Sequence, residues 1–193
     1  DKIFIMIADA QALTDNADNP EKVRSNISEV ALDYMSCGLD PEKATIYVQS
    51  DVREVAELSL YLNMNAGIGE LMRTTSFKDK ARQQLHIDRV NTVEGDVERE
   101  IFNEGNKNSV SAGLLTYPTL MAADIIIHKA VKVPVGKDQE QNMEMARRFA
   151  RRFNTTYGVE FFPIPASFHL GERSVKVPGL DGSGKMGKSE GNA

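Results

Sequence analysis

Val131-Lys132-Val133-Pro134-Val135-Gly136-Lys137-Asp138-Gln139 is the stretch that decides the fold of this chain. Residues 131–135 form a short β-branched run and read as a strand. A glycine opens a turn, and residues 138–153 then place Met143, Ala146, Phe149, Ala150 and Phe153 on one helical face. The same order appears upstream. Residues 2–8 read as a buried strand closed by a polar stretch, 9–19. From Asn19-Pro20-Glu21 a helix begins with a capping residue and proline at its first position. Its apolar face is Val23, Ile27, Val30, Ala31 and Tyr34, and Gly38 ends it. Residues 45–49 read as a second strand, Ser50 as the cap of a helix running to about residue 64, 66–73 as a further turn or two, and 118–130 as a helix. Alternating strands and helices imply an α/β fold, a parallel sheet with crossover helices. Ligands in such sheets bind beyond the carboxyl ends of the strands. Two turns are expected there, 9–15 and 136–139.

The chain has 193 residues, 41% hydrophobic and 26% charged, which suits one globular domain. Its longest apolar runs, 3–8 and 125–127, are far short of the ~20 residues that span a bilayer. No partnership with a membrane is expected. The start lacks the order of a secretory signal. A single cysteine, Cys37, excludes an internal disulfide framework and fits a reducing compartment, so the cytoplasm is expected. With 23 basic against 28 acidic side chains the net charge is −5, which argues against nonspecific coating by nucleic acid. A local basic patch stays open. Residues 77–108 are charge-rich and poor in periodicity, and read as a surface insertion, a mobile loop or a substrate-touching lid, with a short helix near residues 98–102.

The tail reads Pro178-Gly179-Leu180-Asp181-Gly182-Ser183-Gly184-Lys185-Met186-Gly187-Lys188-Ser189. Residues 182–189 satisfy the phosphate-loop pattern G-x-x-x-x-G-K-[ST]. That mechanism needs a helix rising from the lysine and a later acid to hold magnesium, and only four residues follow Ser189. A phosphate-loop NTPase is therefore the secondary reading. Taken as two lysines three apart in a glycine-rich loop, Lys185-Met186-Gly187-Lys188-Ser189 resembles the Lys-Met-Ser-Lys-Ser signature of class I aminoacyl-tRNA synthetases. Three further stretches resemble the bacterial-type tryptophanyl branch of that class. They are Ile5-Met6-Ile7-Ala8-Asp9-Ala10-Gln11-Ala12-Leu13-Thr14, Leu115-Thr116-Tyr117-Pro118-Thr119-Leu120-Met121-Ala122-Ala123-Asp124-Ile125 and Val133-Pro134-Val135-Gly136-Lys137-Asp138-Gln139.

The resemblance covers nearly the whole chain outside the insertion, and implies a Rossmann-like fold and ligase chemistry. L-tryptophan is activated with ATP and magnesium, no protein-bound metal being expected, and passed to its tRNA. Lys185 and Lys188 become the catalytic cations that meet the phosphates, within an ATP loop completed by Met186, Gly187 and Ser189. Gly187 stands where the family usually has serine, which loosens the loop but keeps both charges. Gly136, Lys137 and Asp138 become a ribose and ATP contact at a helix N-terminus, and the backbone around Lys176 meets the adenine.

Asp124 sits in an apolar run, where an ionised carboxylate is costly without a partner. An indole N–H donates and cannot accept, so an acceptor aspartate selects it. By resemblance Asp124 is that acceptor, with Met121, Val133 and Val135 walling the ring and Tyr117 and Gln139 at the polar end of the amino acid. Gln11 occupies a position where some relatives have a pocket histidine. A phenol O–H would also satisfy Asp124, which keeps a tyrosine-specific relative open, and a noncatalytic synthetase-like binding module is a third alternative.

The family's His-x-Gly-His motif is absent, the histidines being His86, His128 and His169. The expectation is a portion of a catalytic domain, inactive alone, without the first strand and the helical anticodon-binding domain. Arg147, Arg148, Arg151 and Arg152 form two i, i+4 pairs that are either a solvated face or a tRNA patch. Residues 52–72 resemble the region through which family members pair as homodimers, and an exposed apolar stripe there would agree.

Overall fold

The computed structural model describes residues 2–85, 99–101, 103, 110–168, 177–182 and 186. Strand β1 (Phe4–Ile7) leads directly into helix α1 (Asp9–Asn16), then α2 (Pro20–Ser36) and strand β2 (Thr45–Val48). A 3-10 turn, Gln49–Asp51, precedes α3 (Arg53–Asn63), α4 (Ile68–Met72) and α5 (Thr75–Gln84). Helix α6 (Ala112–Ile127), strand β3 (Lys132–Pro134), a 3-10 turn (Lys137–Gln139), α7 (Glu140–Tyr157) and β4 (Ala166–Phe168) follow. The strands form two parallel pairs, β1 with β2 in the register Phe4 to Thr45, and β3 with β4 in the register Lys132 to Ala166. Helices connect the strands of each pair, as parallel pairing demands.

Helix α6 is apolar on all sides and is packed by α3 and α7, the environment that an all-round apolar helix requires. The main core forms between α6 and α7 around Ile126, Met143, Ala146 and Phe149. Local rules account for several boundaries. Asn19 accepts from the Lys22 N–H at 3.2 Å to cap α2, and Gly38, at φ +93°, closes its far end. Helix α7 ends on Gly158 in the left-handed region at φ +63°.

Several expectations are corrected. Strand β1 is not buried throughout: only Ile7 is, while Phe4 is 45% exposed and lays its ring on His128. Residues 9–15 are not a turn but helix α1, because alanines and Leu13 carry the chain onward from Ala8. Ser50 caps nothing; its N–H donates to Asp9 Oδ1 at 3.0 Å. Helix α6 starts six residues before Pro118, capped by Ser111, and simply encloses the fully buried proline. The segment from residue 77 does not begin as a loop. Phe77 and Ala81, one turn apart on α5, are buried against Met72 and Leu114 in a second small core. Two apolar residues among charged neighbours suffice for this packing but are too sparse to read as periodicity. Residues 99–101 are helical, within the short helix expected near 98–102, and the rest of the insertion lies outside the described residues.

Candidate functional site

Parallel strands β1 and β2 end side by side, and their carboxyl ends are joined by reciprocal bonds. Ser50 N–H donates to the Asp9 carboxylate, and Gln11 N–H donates to Gln49 Oε1 at 2.9 Å. Helix α6 passes beneath this junction and brings Asp124 to it. The Asp124 residue is 8% exposed, and its carboxylate accepts from Gln49 Nε2 at both oxygens, 3.0 Å to Oδ1 and 2.8 Å to Oδ2. Burial pushes the Asp124 carboxyl up to about 7, against the pull of that donor. Gln49 was missed by the sequence reading. The one available signal was a polar residue directly after a strand, in a fold that puts ligands there.

Tyr117 lies about two turns before Asp124 on α6. Its backbone carbonyl accepts from Gln11 Nε2 at 3.3 Å. Burial raises its phenol, and the negative charges of Asp15, Asp124 and Asp138 raise it further. The charges of three carboxylates thus act on one phenol. Met121, Val133 and Val135 are half-buried and pack on the same main core.

The turn after β3 is shaped by Gly136, whose carbonyl accepts from Gln139 N–H at 3.0 Å. A Cβ at residue 136 would stand 2.5 Å from Asp138 Oδ1, so glycine allows the carboxylate to fold close to the backbone. Gln139 donates to Asp138 Oδ2 at 2.8 Å and accepts from buried Asn142 at 2.9 Å. Of the expected residues, Gln11 thus bonds Tyr117 directly and is linked to Asp124 through Gln49, while Asp138 and Gln139 form an interlocked turn of their own.

Only part of the lysine loop is described. Met186 N–H donates to the Val177 carbonyl at 2.9 Å, and Gly182, at φ +76°, closes a turn by donating to the Gly179 carbonyl at 3.0 Å. The Lys137 side chain and Lys176, Lys185, Gly187, Lys188 and Ser189 lie outside the described residues.

Three of the four arginines of α7, Arg148, Arg151 and Arg152, are exposed as a solvated face requires, each with a partner, while Arg147 is fastened inward. Arg147, 17% exposed, donates to the Pro165 carbonyl and Ser167 Oγ, each at 2.9 Å, and to Glu144 at 3.0 Å. Arg148 pairs with Glu70, Arg151 with Glu144, and Arg152 donates to the Asn65 carbonyl. By contrast, Leu60, Tyr61, Met64 and Ile68 of α3 and α4 leave an apolar stripe more than half exposed. Among the described residues, no group of acids, histidines or cysteines could hold a metal, and no helix is long and apolar enough to cross a membrane.

Parallel strand pairs with crossover helices, a buried aspartate at the carboxyl ends of β1 and β2 and a glycine-opened turn at a helix start define an α/β domain of Rossmann-like type. The chain belongs to the class I tRNA synthetases of the W and Y group, whose family model matches residues 1–193. It is 63% identical over 190 residues to the tryptophan–tRNA ligase of Porphyromonas gingivalis, covering 98% of this chain and 51% of that protein. It is 45% identical to that of Clostridium longisporum, with 98% and 50% covered. Among solved structures, the tryptophanyl-tRNA synthetase of Campylobacter jejuni, complexed with ADP and tryptophan, superposes with a TM-score of 0.76 at 36% identity. That match covers 99% of this chain and 51% of the other. The chain spans about half the length of the curated relatives it matches.

Proposed function

We propose that this chain forms the amino-acid and ATP pocket of a tryptophan–tRNA ligase. The observation that carries the reading is Asp124, a buried carboxylate whose two oxygens share one amide donor and keep lone pairs for a ligand N–H. The 63% identity to a tryptophan–tRNA ligase supports indole over phenol as the group read. In the first step a carboxylate oxygen of tryptophan attacks the α-phosphorus of ATP, supplied with magnesium; the bond to the bridging oxygen breaks and pyrophosphate leaves. In the second, a hydroxyl of the terminal adenosine of the tRNA takes the acyl group and AMP departs.

No covalent bond to the protein is needed, so the chain acts by positioning and by meeting charge. Asp124 reads the ring N–H, Met121, Val133 and Val135 wall the ring, and Tyr117, Gln139 and Gln11 border the polar end. Gly136, Lys137 and Asp138 meet the ribose and phosphates at the start of α7. Lys185 and Lys188, with Met186, Gly187 and Ser189, close over the phosphates, and the backbone near Lys176 meets the adenine. The exposed stripe of α3 and α4 suits a homodimer contact, and the exposed free thiol of Cys37 suits the cytoplasm.

The test is competition between tryptophan and an analogue with sulfur in place of the ring N–H, in wild type and a folded Asp124→Ala variant. The wild type should reject the analogue about 10-fold or more, since a buried acceptor is left unpaired, and the variant should not. Equal preference ratios in the two proteins overturn the reading.

A further inference from the structure

Gln49 is among the most deeply buried polar residues of the chain, at 1% exposure, and its side-chain amide is spent at both ends. Oε1 accepts from Gln11 N–H, the third residue of α1 and thus one of the amides that a helix start leaves without a carbonyl partner. Ala8, at the cap position, offers α1 no side-chain bond, so Gln49 caps this helix from 38 residues away. Nε2 then faces the Asp124 carboxylate. The orientation is determined chemically. Turning the amide over would set N–H against N–H and oxygen against a carboxylate.

We infer that Gln49 is the positioning residue that holds Asp124 as the acceptor for the substrate's ring N–H, and so sets amino-acid discrimination without touching the ring. The inference rests on the reading of Asp124 given above. One donor bridging both oxygens restrains the carboxylate from rotating, while each oxygen keeps a lone pair for a ligand. A carboxylate free to rotate would offer its lone pairs in many directions and discriminate less, because selectivity depends on a preset acceptor. Among the described residues, no other donor holds Asp124. Tyr47 of β2 and Tyr117 of α6 feel its charge but keep their protons at neutral pH, His128 engages Tyr47, and Asp15 and Asp138 act on Tyr117.

Two variants test this. Gln49→Met keeps the length and removes the amide. Gln49→Glu keeps an acceptor for Gln11 N–H and replaces the donor with a second carboxyl. In Gln49→Met, tryptophan affinity and the preference for tryptophan over the sulfur analogue should each fall about tenfold, with KM for ATP unchanged. In Gln49→Glu, a proton shared between residues 49 and 124 restores the bridge at low pH. Tryptophan affinity should therefore fall as pH rises from 5 to 8, whereas in wild type it should rise as Asp124 ionises. A merely structural glutamine would not reverse that slope.

The inference is overturned if folded Gln49→Met keeps the wild-type preference ratio, or if Gln49→Glu keeps the wild-type slope. Running Asp124→Ala in parallel separates the two levels. A lost preference in Asp124→Ala with none lost in Gln49→Met removes only the role of Gln49. A preference retained in both variants removes the role of Asp124 as well.

Discussion

Tyr47 Oη and His128 Nε2 lie 2.8 Å apart, and this bond ties the middle of β2 to the end of α6. Burial holds the His128 imidazole below its ordinary value and pushes the Tyr47 phenol up to about 12, aided by the charge of Asp124. Both partners are therefore held in their neutral forms, and the tautomer of the imidazole sets which of the two donates.

A histidine with a lowered folded-state value makes the folded protein bind fewer protons than the unfolded chain just below pH 6.5, so stability is lost as pH falls through that region. Replacing His128 by glutamine, which accepts from Tyr47 without titrating, should make the variant gain stability relative to wild type as pH falls through that region. The measurement is the thermal midpoint of both proteins from pH 8 to 5. Parallel curves would mean that the pair does not govern the acid limb. At pH 8, Tyr47→Phe should cost about 0.5–1.5 kcal/mol, the worth of one such bond.

Asp124 carries the opposite sign. Its folded-state value of about 7 lies above the ordinary 3.8, so the folded protein holds a proton that the unfolded chain has released. Stability should fall as pH rises from about 4 to 7 and stay lowered above that. Asp124→Asn keeps an acceptor for Gln49 and removes the charge. In the absence of tryptophan this variant should be more stable than wild type at pH 8, and denaturant unfolding at pH 4 and 8 reads the difference. Lower stability of the variant at pH 8 would contradict the prediction.

In the intact ligase, Lys185→Ala or Lys188→Ala should lower the rate of tryptophan-dependent pyrophosphate exchange about 100-fold or more, the scale of losing one preorganised electrostatic donor. Tryptophan binding measured by calorimetry should barely change, because these cations are assigned to phosphates. A variant that chiefly loses tryptophan affinity would count against that assignment.

Arg147→Ala should act on stability rather than on nucleic-acid affinity. It leaves the Pro165 carbonyl and Ser167 without their donor, at a cost of about 1–3 kcal/mol in urea unfolding. The salt dependence of tRNA binding should keep its wild-type slope. A slope reduced by about one unit, with stability unchanged, would return this arginine to a phosphate-contacting role.

Short-range rules were legible in the chain because they join residues a few positions apart. Proline after Asn19 announced the start of α2, and glycine at 38 its end. The apolar stripe of α7 announced its buried face, and the alternation of strands and helices announced the α/β class. Asp124 stood out because a carboxylate among Met121, Ala122, Ala123 and Ile125 has to be explained by a partner or a ligand. What tertiary structure alone decided are the pairings that cross long stretches of chain. Gln49 meets Asp124 across 75 residues, and Tyr47 meets His128 across 81. Arg148 reaches Glu70 across 78 residues, and Arg147 is drawn in against Pro165 and Ser167, pairings that a run of arginines on one helix does not announce. Phe77 and Ala81 found a core that their own segment does not advertise. The physical reason is common to these cases. Helix caps and periodicity follow from local backbone geometry, whereas the partner of a buried polar group is set by which distant elements the collapsing core brings beside it.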